Sequence, residues 1–570
     1  MITLKNINLS SIDLSGIDLR GIKLGLGGRG GGSSDGFPQL PGDVTRWHFG
    51  GLTNEMMAAM DDPRIEDADG KGRFLSFKNF AWGGMSGVGG YTENYNSNRW
   101  YKVEIRIDAT WTYKSFNARS IKDNIAAQLF YQSKSSDTGF RVLSCTIKVS
   151  GLTDGQGIEY VSNGTQQFVI MRIENDGIYH LPSFDFGAKN AYYGFRFLKL
   201  QESCNITIEQ LPLYPGALVF DGVDDRGTCD NFPVLTKEKG YTVVALRQWD
   251  QDFLNTTLTG GLLSTRNYST GEGVAFEKIE SSNKGYWNLG AGGIIDFAKS
   301  PFTWQTSKQY NNVGILKGDK NHGKPLCVGC GLSGGQQCGR FAIWELVFLD
   351  HDATEEELTK IKDYFVKTYP WLFPDQAWTV VGKTNEDEDR ATIANITGNG
   401  NDLVCLNLGF IEGSGYNEEG EYAGYLVTDG VDDKIVSSVF GMGKDFTIVG
   451  DWKLINTGKN DNAGIVKFDS IVIYNYNPIL INIKNGRNNL IPDQNTVNAI
   501  CSDGRIYSKD WKESIYNEET ESTSKNLLTI GYSGNIYTKI AFKNLAIYPT
   551  VLSKEDCIKA YNYLQTLKAK

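Results

Sequence analysis

ALVFDGVDDRG (217–227) and YLVTDGVDDKI (425–435) are two versions of one phrase, 208 residues apart. Each reads as an apolar strand ending in a turn. The first Asp accepts backbone N–H bonds and the Gly takes a conformation other residues resist. Two more pairs flank this one. ADGKGRFLSFKNFAWGGMSG (68–87) matches ITGNGNDLVCLNLGFIEGSG (396–415) at a constant offset of 328. Gly70, Gly72, Leu75, Asn79, Ser86 and Gly87 meet Gly398, Gly400, Leu403, Asn407, Ser414 and Gly415. FAIWELVFLDHDATEEEL (341–358) matches IAFKNLAIYPTVLSKEDC (540–557) at an offset of 199. Three collinear blocks mean that the chain carries two copies of one domain.

The fall in offset from 328 to 208 places about 120 extra residues inside the first copy. The expected domains are therefore 37–91 with 216–375, an insertion at 92–215, and 376–570. The insertion contains WYKVEIRIDATW (100–111), FRVLSCTIKVSGL (140–152), QQFVIMRIE (166–174), YYGFRFLKL (192–200) and CNITIEQLPL (204–213). Val103, Ile105 and Ile107 alternate with polar residues, the period of a half-buried strand. Such runs joined by turn residues predict a second kind of β-sandwich. Each copy ends in one helix that should pack on the edge or side of its sandwich. In 353–369, Thr354 and Glu357 form a capping box ahead of Leu358, Ile361 and Phe365 on one face. Ser553 and Asp556 repeat the cap before Cys557, Tyr561 and Leu564.

Composition agrees with all-β domains. There are 65 glycines in 570 residues, well above the usual value of about 7%, with few prolines and 12% aromatics. A net charge of −10 argues against nucleic acid as a partner. No apolar run is long enough to span a membrane, so insertion is not expected. The nine cysteines lack a paired spacing and fit free thiols in a reducing cytosol. MITLKNINLSS lacks the basic and apolar regions of a secretory signal.

Residues 1–25 keep an exact five-residue period, with isoleucines at 2, 7, 12, 17 and 22 and with Leu4, Leu9, Leu14, Leu19 and Leu24. They resemble pentapeptide repeats, which wind a square β-helix. Five units make little more than one coil, which cannot bury its own ends. The segment therefore reads as an anchor that needs a partner. GLGGRGGGSSDG (25–36) follows as a flexible linker.

The paired blocks also resemble the concanavalin A-like jelly roll of the laminin-G and pentraxin type. L-x-F-D-G-V-D-D opens an early strand there, and a late element resembles KNLAIYPTVLSKED (543–556). The run I-E-Q-L-P-L-Y-P-G-A-L-V-F-D-G-V-D-D further resembles proteins of gut Bacteroidales phages and prophages. The resemblance implies two laminin-G-like sandwiches in a virion appendage made in the host cytoplasm. It would attach to other virion proteins through residues 1–36, act as a homo-oligomer and bind host surface glycan. The alternatives are a purely structural virion component, a glycan-degrading enzyme and a bacterial adhesin.

The candidate sites follow. Trp82, Tyr91, Tyr95, Trp100, Trp287 and Trp304 lie near Gly/Asn-rich, loop-like text and could stack on sugar faces. Asp221, Asp224 and Asp225 recur as Asp429, Asp432 and Asp433. A turn explains them first; Ca²⁺, which laminin-G domains often hold, is the alternative and the one candidate cofactor. Glu66, Asp67 and Asp69 read as a turn, because the second copy carries Ala394, Asn395 and Thr397 there. Cys327, Cys330 and Cys338, with His322, have a zinc-like spacing. Strand alternation would place Cys327 and Cys330 on opposite faces, which disfavours a metal. No E-x-D-x-x-E string, nucleophile motif or P-loop is present, so an enzyme is not expected.

Overall fold

The computed structural model describes residues 36–569, except 103–106, 121–124, 133–140, 164–166, 183, 186–191, 203, 235–239, 251–252, 254–257, 259, 266–274, 279–283, 288–293, 297–301, 307–324, 333–335, 419–421, 456–463, 468–470, 475–478, 484–486, 492–496, 509–510, 516–522 and 534–535. The pentapeptide-like anchor, most of the linker and His322 lie outside the described residues.

The chain is nearly all β. Residues of 44–88 and 218–349 build a six-stranded and a ten-stranded sheet. Residues of 376–548 build two eight-stranded sheets. Residues of 100–210 build two five-stranded sheets. Each pair of sheets encloses its own apolar core.

The two copies share one plan. Strand Arg340–Leu349 is the spine of its sheet, flanked by Thr242–Trp249 and by Leu218–Asp221 with Val44–His48. Strand Ile540–Tyr548 is flanked in the same way by Thr447–Leu454, Tyr425–Val427 and Gln376–Thr379. Both spines are buried on both faces because one face meets the opposing sheet and the other meets a helix. Even the irregularity repeats. The register shifts at Leu246/Arg247 in one copy and at Asp451/Trp452 in the other, the signature of a bulge.

Helix Glu355–Thr368 starts on the capping box of Thr354 and Glu357, and Lys554–Gln565 starts on Ser553. Their apolar faces contribute to one shared core. Ile361 and Phe365 share a single buried cluster with Tyr561 and Leu564. That cluster also takes in Trp344 and Val244 of the first copy and Val449 and Tyr548 of the second. The two sandwiches are thus joined by core, not only by linker.

The insertion docks on the second sandwich through strand Gly177–Leu181. Tyr179 and Leu181 face the insertion's own core, while Ile178 joins the shared cluster. His180 lies on the same side as Ile178, with Nε2 3.3 Å from Lys543 Nζ.

The CVGC stretch departs from simple alternation. Strand Leu326–Val328 stops at Gly329, whose φ is 95°, and the chain restarts as Cys330–Leu332. A side chain at Gly329 would lie 2.4 Å from the Phe220 ring, so the position requires glycine. The break turns Cys330 to the side of Cys327. Cys327, Cys330 and Cys338 form one buried cluster, and Cys330 and Cys338 are joined in a disulfide. The free thiols read from the spacing are corrected at this pair; the other seven cysteines form no disulfide.

Candidate functional site

The repeated blocks converge on one local structure in each copy. In the first, Val223 N–H donates to Asp221 Oδ1 (2.7 Å), and Asp221 N–H donates to Asp225 Oδ2 (3.0 Å). Ser86 Oγ donates to Asp225 Oδ1 (2.9 Å) while accepting from Ala81 N–H (2.8 Å). Asn79 Nδ2 donates to Asp224 O (3.1 Å). The second copy reproduces these bonds. Val431 N–H meets Asp429 Oδ1 (2.7 Å), Asp429 N–H and Ser414 Oγ meet Asp433 Oδ2 (2.8 and 2.7 Å), and Asn407 Nδ2 meets Asp432 O (3.0 Å). The residues kept between the copies are therefore the nodes of one hydrogen-bond network. Asn79 and Asn407 also share a positive φ of 69° and 67°, a conformation Asn tolerates.

The three carboxylates of each copy lie close enough to share a cation, their ligand atoms within 4.8 Å of one another. The first copy has little to offer one, since both Asp225 oxygens already accept hydrogen bonds. In the second copy Asp433 Oδ1 is buried and has no hydrogen-bond partner. That cluster fits a hard divalent cation, with Asp429, Asp432 and Asp433 as its oxygen donors.

Burial, then the nearby Asp221 carboxylate, pushes Asp225 up to about 7. Burial likewise raises Asp433. A carboxyl whose folded pKa exceeds its unfolded value of about 3.9 stabilises the fold below that value. The contribution is lost as pH rises through about 7. Asp225→Asn, neutral throughout, should gain in melting temperature relative to the native protein between pH 5 and pH 8. An unchanged difference at the two pH values would exclude a protonated Asp225.

Three of the six aromatic candidates are packed inward. Tyr91, Tyr95 and Trp100 are buried. Tyr95 stacks edge-on against Trp100 at 5.0 Å, and Trp100 belongs to the insertion's core. No ring face is left there for a sugar, which corrects their assignment as contact residues. Trp287 and Trp304 lie on strands Lys284–Trp287 and Phe302–Thr306, not on loops. Trp82 is half-buried and stacked on Phe80 at 4.8 Å, with Phe410 as its counterpart in the second copy. Glu66 and Asp67 hold a turn: Asp67 Oδ1 accepts from Lys71 and Arg73 N–H (3.1 and 2.9 Å), and Glu66 from Gly72 N–H (3.1 Å).

A concave site occurs elsewhere, on the second sandwich. It is an open cleft of about 380 Å³ lined by Glu412, Asn417, Tyr422, Val427, Ile455 and Lys539. The Asp network adjoins it in the chain. Glu412 and Gly413 precede Ser414, the donor to Asp433, and Lys539 packs against Gly430 at 3.0 Å from an ideal Cβ. Val427 is buried beneath, with Tyr422 and Ile455 packed on the same small cluster. Among the described residues neither Glu412 nor Lys539 forms an ion pair. The cleft combines an apolar floor, an aromatic ring and the side chains of Asn417, Glu412 and Lys539. Its residues lie partly inside the repeated blocks, but nothing in the spacing of the sequence marks them as a group.

No family model matches the chain, and no curated protein matches it. Among solved structures it is similar to Trypanosoma rangeli sialidase, at 8% identity and a TM-score of 0.25, over 92% of this chain and 99% of that one. It is also similar to the botulinum neurotoxin serotype D binding domain, at 10% identity and a TM-score of 0.23, over 58% of this chain and 87% of that one. Likeness at this level does not bear on what the chain does.

Proposed function

We propose that the protein is a non-catalytic glycan-binding protein that takes a sugar in the cleft of its second sandwich. The observation that carries this is the lining: Tyr422 and Ile455 offer apolar surface to a sugar ring, beside Asn417, Glu412 and Lys539 for its hydroxyls. Glu412 is the one carboxylate among the described lining residues, and glycosidic hydrolysis ordinarily needs two. Binding needs only groups held on a rigid scaffold.

The wider role belongs to the same proposal. The resemblance to phage proteins supports a virion appendage, attached through residues 1–36 and presenting the sandwiches to host surface glycan. Several copies on one particle would offset weak single-site affinity by avidity. Ca²⁺ at Asp429, Asp432 and Asp433 would brace the turn beside the cleft.

The test is an array of bacterial surface polysaccharides, probed with the purified chain in Ca²⁺ and in chelator. Specific retention is expected, and Tyr422→Ala should weaken it about tenfold, as loss of a central aromatic contact does. The melting temperature of the variant shows that it has folded. If nothing on the array is retained, or if Tyr422→Ala binds as the native chain does, the cleft is not a glycan site.

A further inference from the structure

The duplication supplies an internal control for the cleft. In the first copy the residue packed on the turn glycine is Arg340, 2.9 Å from an ideal Cβ on Gly222. In the second copy the same place, against Gly430, is held by Lys539. The backbone pairing fixes the next correspondence. Asp250 N–H donates to Arg340 O at 3.0 Å, and Ile455 N–H donates to Lys539 O at 3.1 Å. Asp250 and Ile455 are therefore equivalent positions, each one residue beyond a matched strand.

The consequence is electrostatic. Asp250 is the counter-ion of Arg340, with Oδ2 3.4 Å from Nε. Where the first copy has this carboxylate the second has an isoleucine. Lys539 keeps its charge, loses the partner and lines an open cleft beside apolar side chains. Glu412, exposed at the rim, does not pair with it. An ammonium half-buried next to an apolar wall attracts an anion more strongly than one in bulk water.

We infer that the cleft is selective for an acidic saccharide, one whose carboxylate or sulfate takes the place at Lys539 that Asp250 fills at Arg340. This rests on the glycan-binding proposal and specifies its ligand. The acidic group would reach the ammonium while the sugar ring lies over Tyr422 and Ile455. Asn417 and Glu412 remain for hydroxyls. Net repulsion from an acidic chain slows approach of an anionic polymer, and it is weakened by salt.

The experiment compares three probes by titration calorimetry with the full chain: a uronic-acid-bearing oligosaccharide, a sulfated one and their neutral parent. The native chain should bind at least one acidic probe about tenfold more tightly than the parent, the scale of one unscreened charge contact. Whichever acidic probe is preferred identifies the anion. Lys539→Gln should erase the difference. Ile455→Asp should erase it too, because it restores to the second copy the ion pair of the first. Melting temperatures report whether both variants fold. If the native chain binds acidic and neutral probes equally, or if Ile455→Asp keeps the preference, the acidic selectivity is refuted while glycan binding stands. If none of the three probes binds, both proposals fall.

Discussion

Glu345→Leu is expected to cost the first sandwich about 3–5 kcal/mol, the usual effect of stranding a buried charge. Glu345 and Arg46 are both fully buried, on the paired strands Arg340–Leu349 and Val44–His48. Their side chains form an ion pair at 3.5 Å. The guanidinium lies 4.2 Å from the Phe37 ring and donates to Tyr364 Oη at 3.2 Å. Glu345 Oε1 accepts from Tyr369 Oη at 3.0 Å and is also in contact with His48 Nδ1. Removing the carboxylate leaves a buried guanidinium beside Phe37 and Tyr364 without this counter-ion. For a domain of about 200 residues the loss amounts to roughly 10 °C in melting temperature. The second copy shows how the fold does without the pair. In register, Arg46, His48 and Glu345 correspond to Ala377, Thr379 and Asn544. The double variant Arg46→Met/Glu345→Leu should therefore recover most of the loss, since hydrophobic replacement of a buried pair is often neutral. A single variant as stable as the native chain, or a double variant no better than the single, would mean that the pair is not carrying charge in the core.

The comparison of copies also explains what the sequence made legible. The matched residues of the three blocks are backbone-determining: Asn79 and Asn407 at positive φ, Ser86 and Ser414 on the Asp carboxylates, Gly222 and Gly430 under a packed residue. Such positions admit few residue types, so they survive duplication and stand out as text. The insertion was visible for the same reason, as a change in offset. Its strand Gly157–Asn163 was harder to see because its interior breaks the apolar alternation. Glu159 is buried there between Arg196 and Arg172. Tyr91, Tyr95 and Trp100 turned out buried for a different reason. Gly/Asn-rich text reports turns, and a turn next to a core can be fully packed, as Tyr95 and Trp100 are. The cleft was illegible because its character comes from a difference, Ile455 where Asp250 stands in the other copy. Matching blocks register what is kept, whereas a binding site is often what one copy has changed.

Trp371→Ala is expected to cost about 3–5 kcal/mol as well, and to change the form of the unfolding transition. Trp371 follows helix Glu355–Thr368, in the short turn Pro370–Leu372 that leads into the second copy. It is 2% exposed. Its ring meets Trp344 of the first copy edge-on at 5.7 Å and Tyr563 of the second at 5.8 Å. It is thus a wedge touching both sandwiches at the centre of their shared cluster. Each sandwich also has a separate core that does not include it. Truncation removes one large contact common to both and leaves the private cores intact. The native chain should then unfold the two sandwiches together, while Trp371→Ala should separate them into two calorimetric transitions, with the calorimetric enthalpy exceeding the van't Hoff value of either. Trp371→Phe, which keeps a ring in the same place, should retain one transition at a modestly lower temperature. If Trp371→Ala unfolds in one step near the native temperature, the shared cluster does not couple the two copies. In that case the cleft and the Asp network beside it would owe their rigidity to the second sandwich alone.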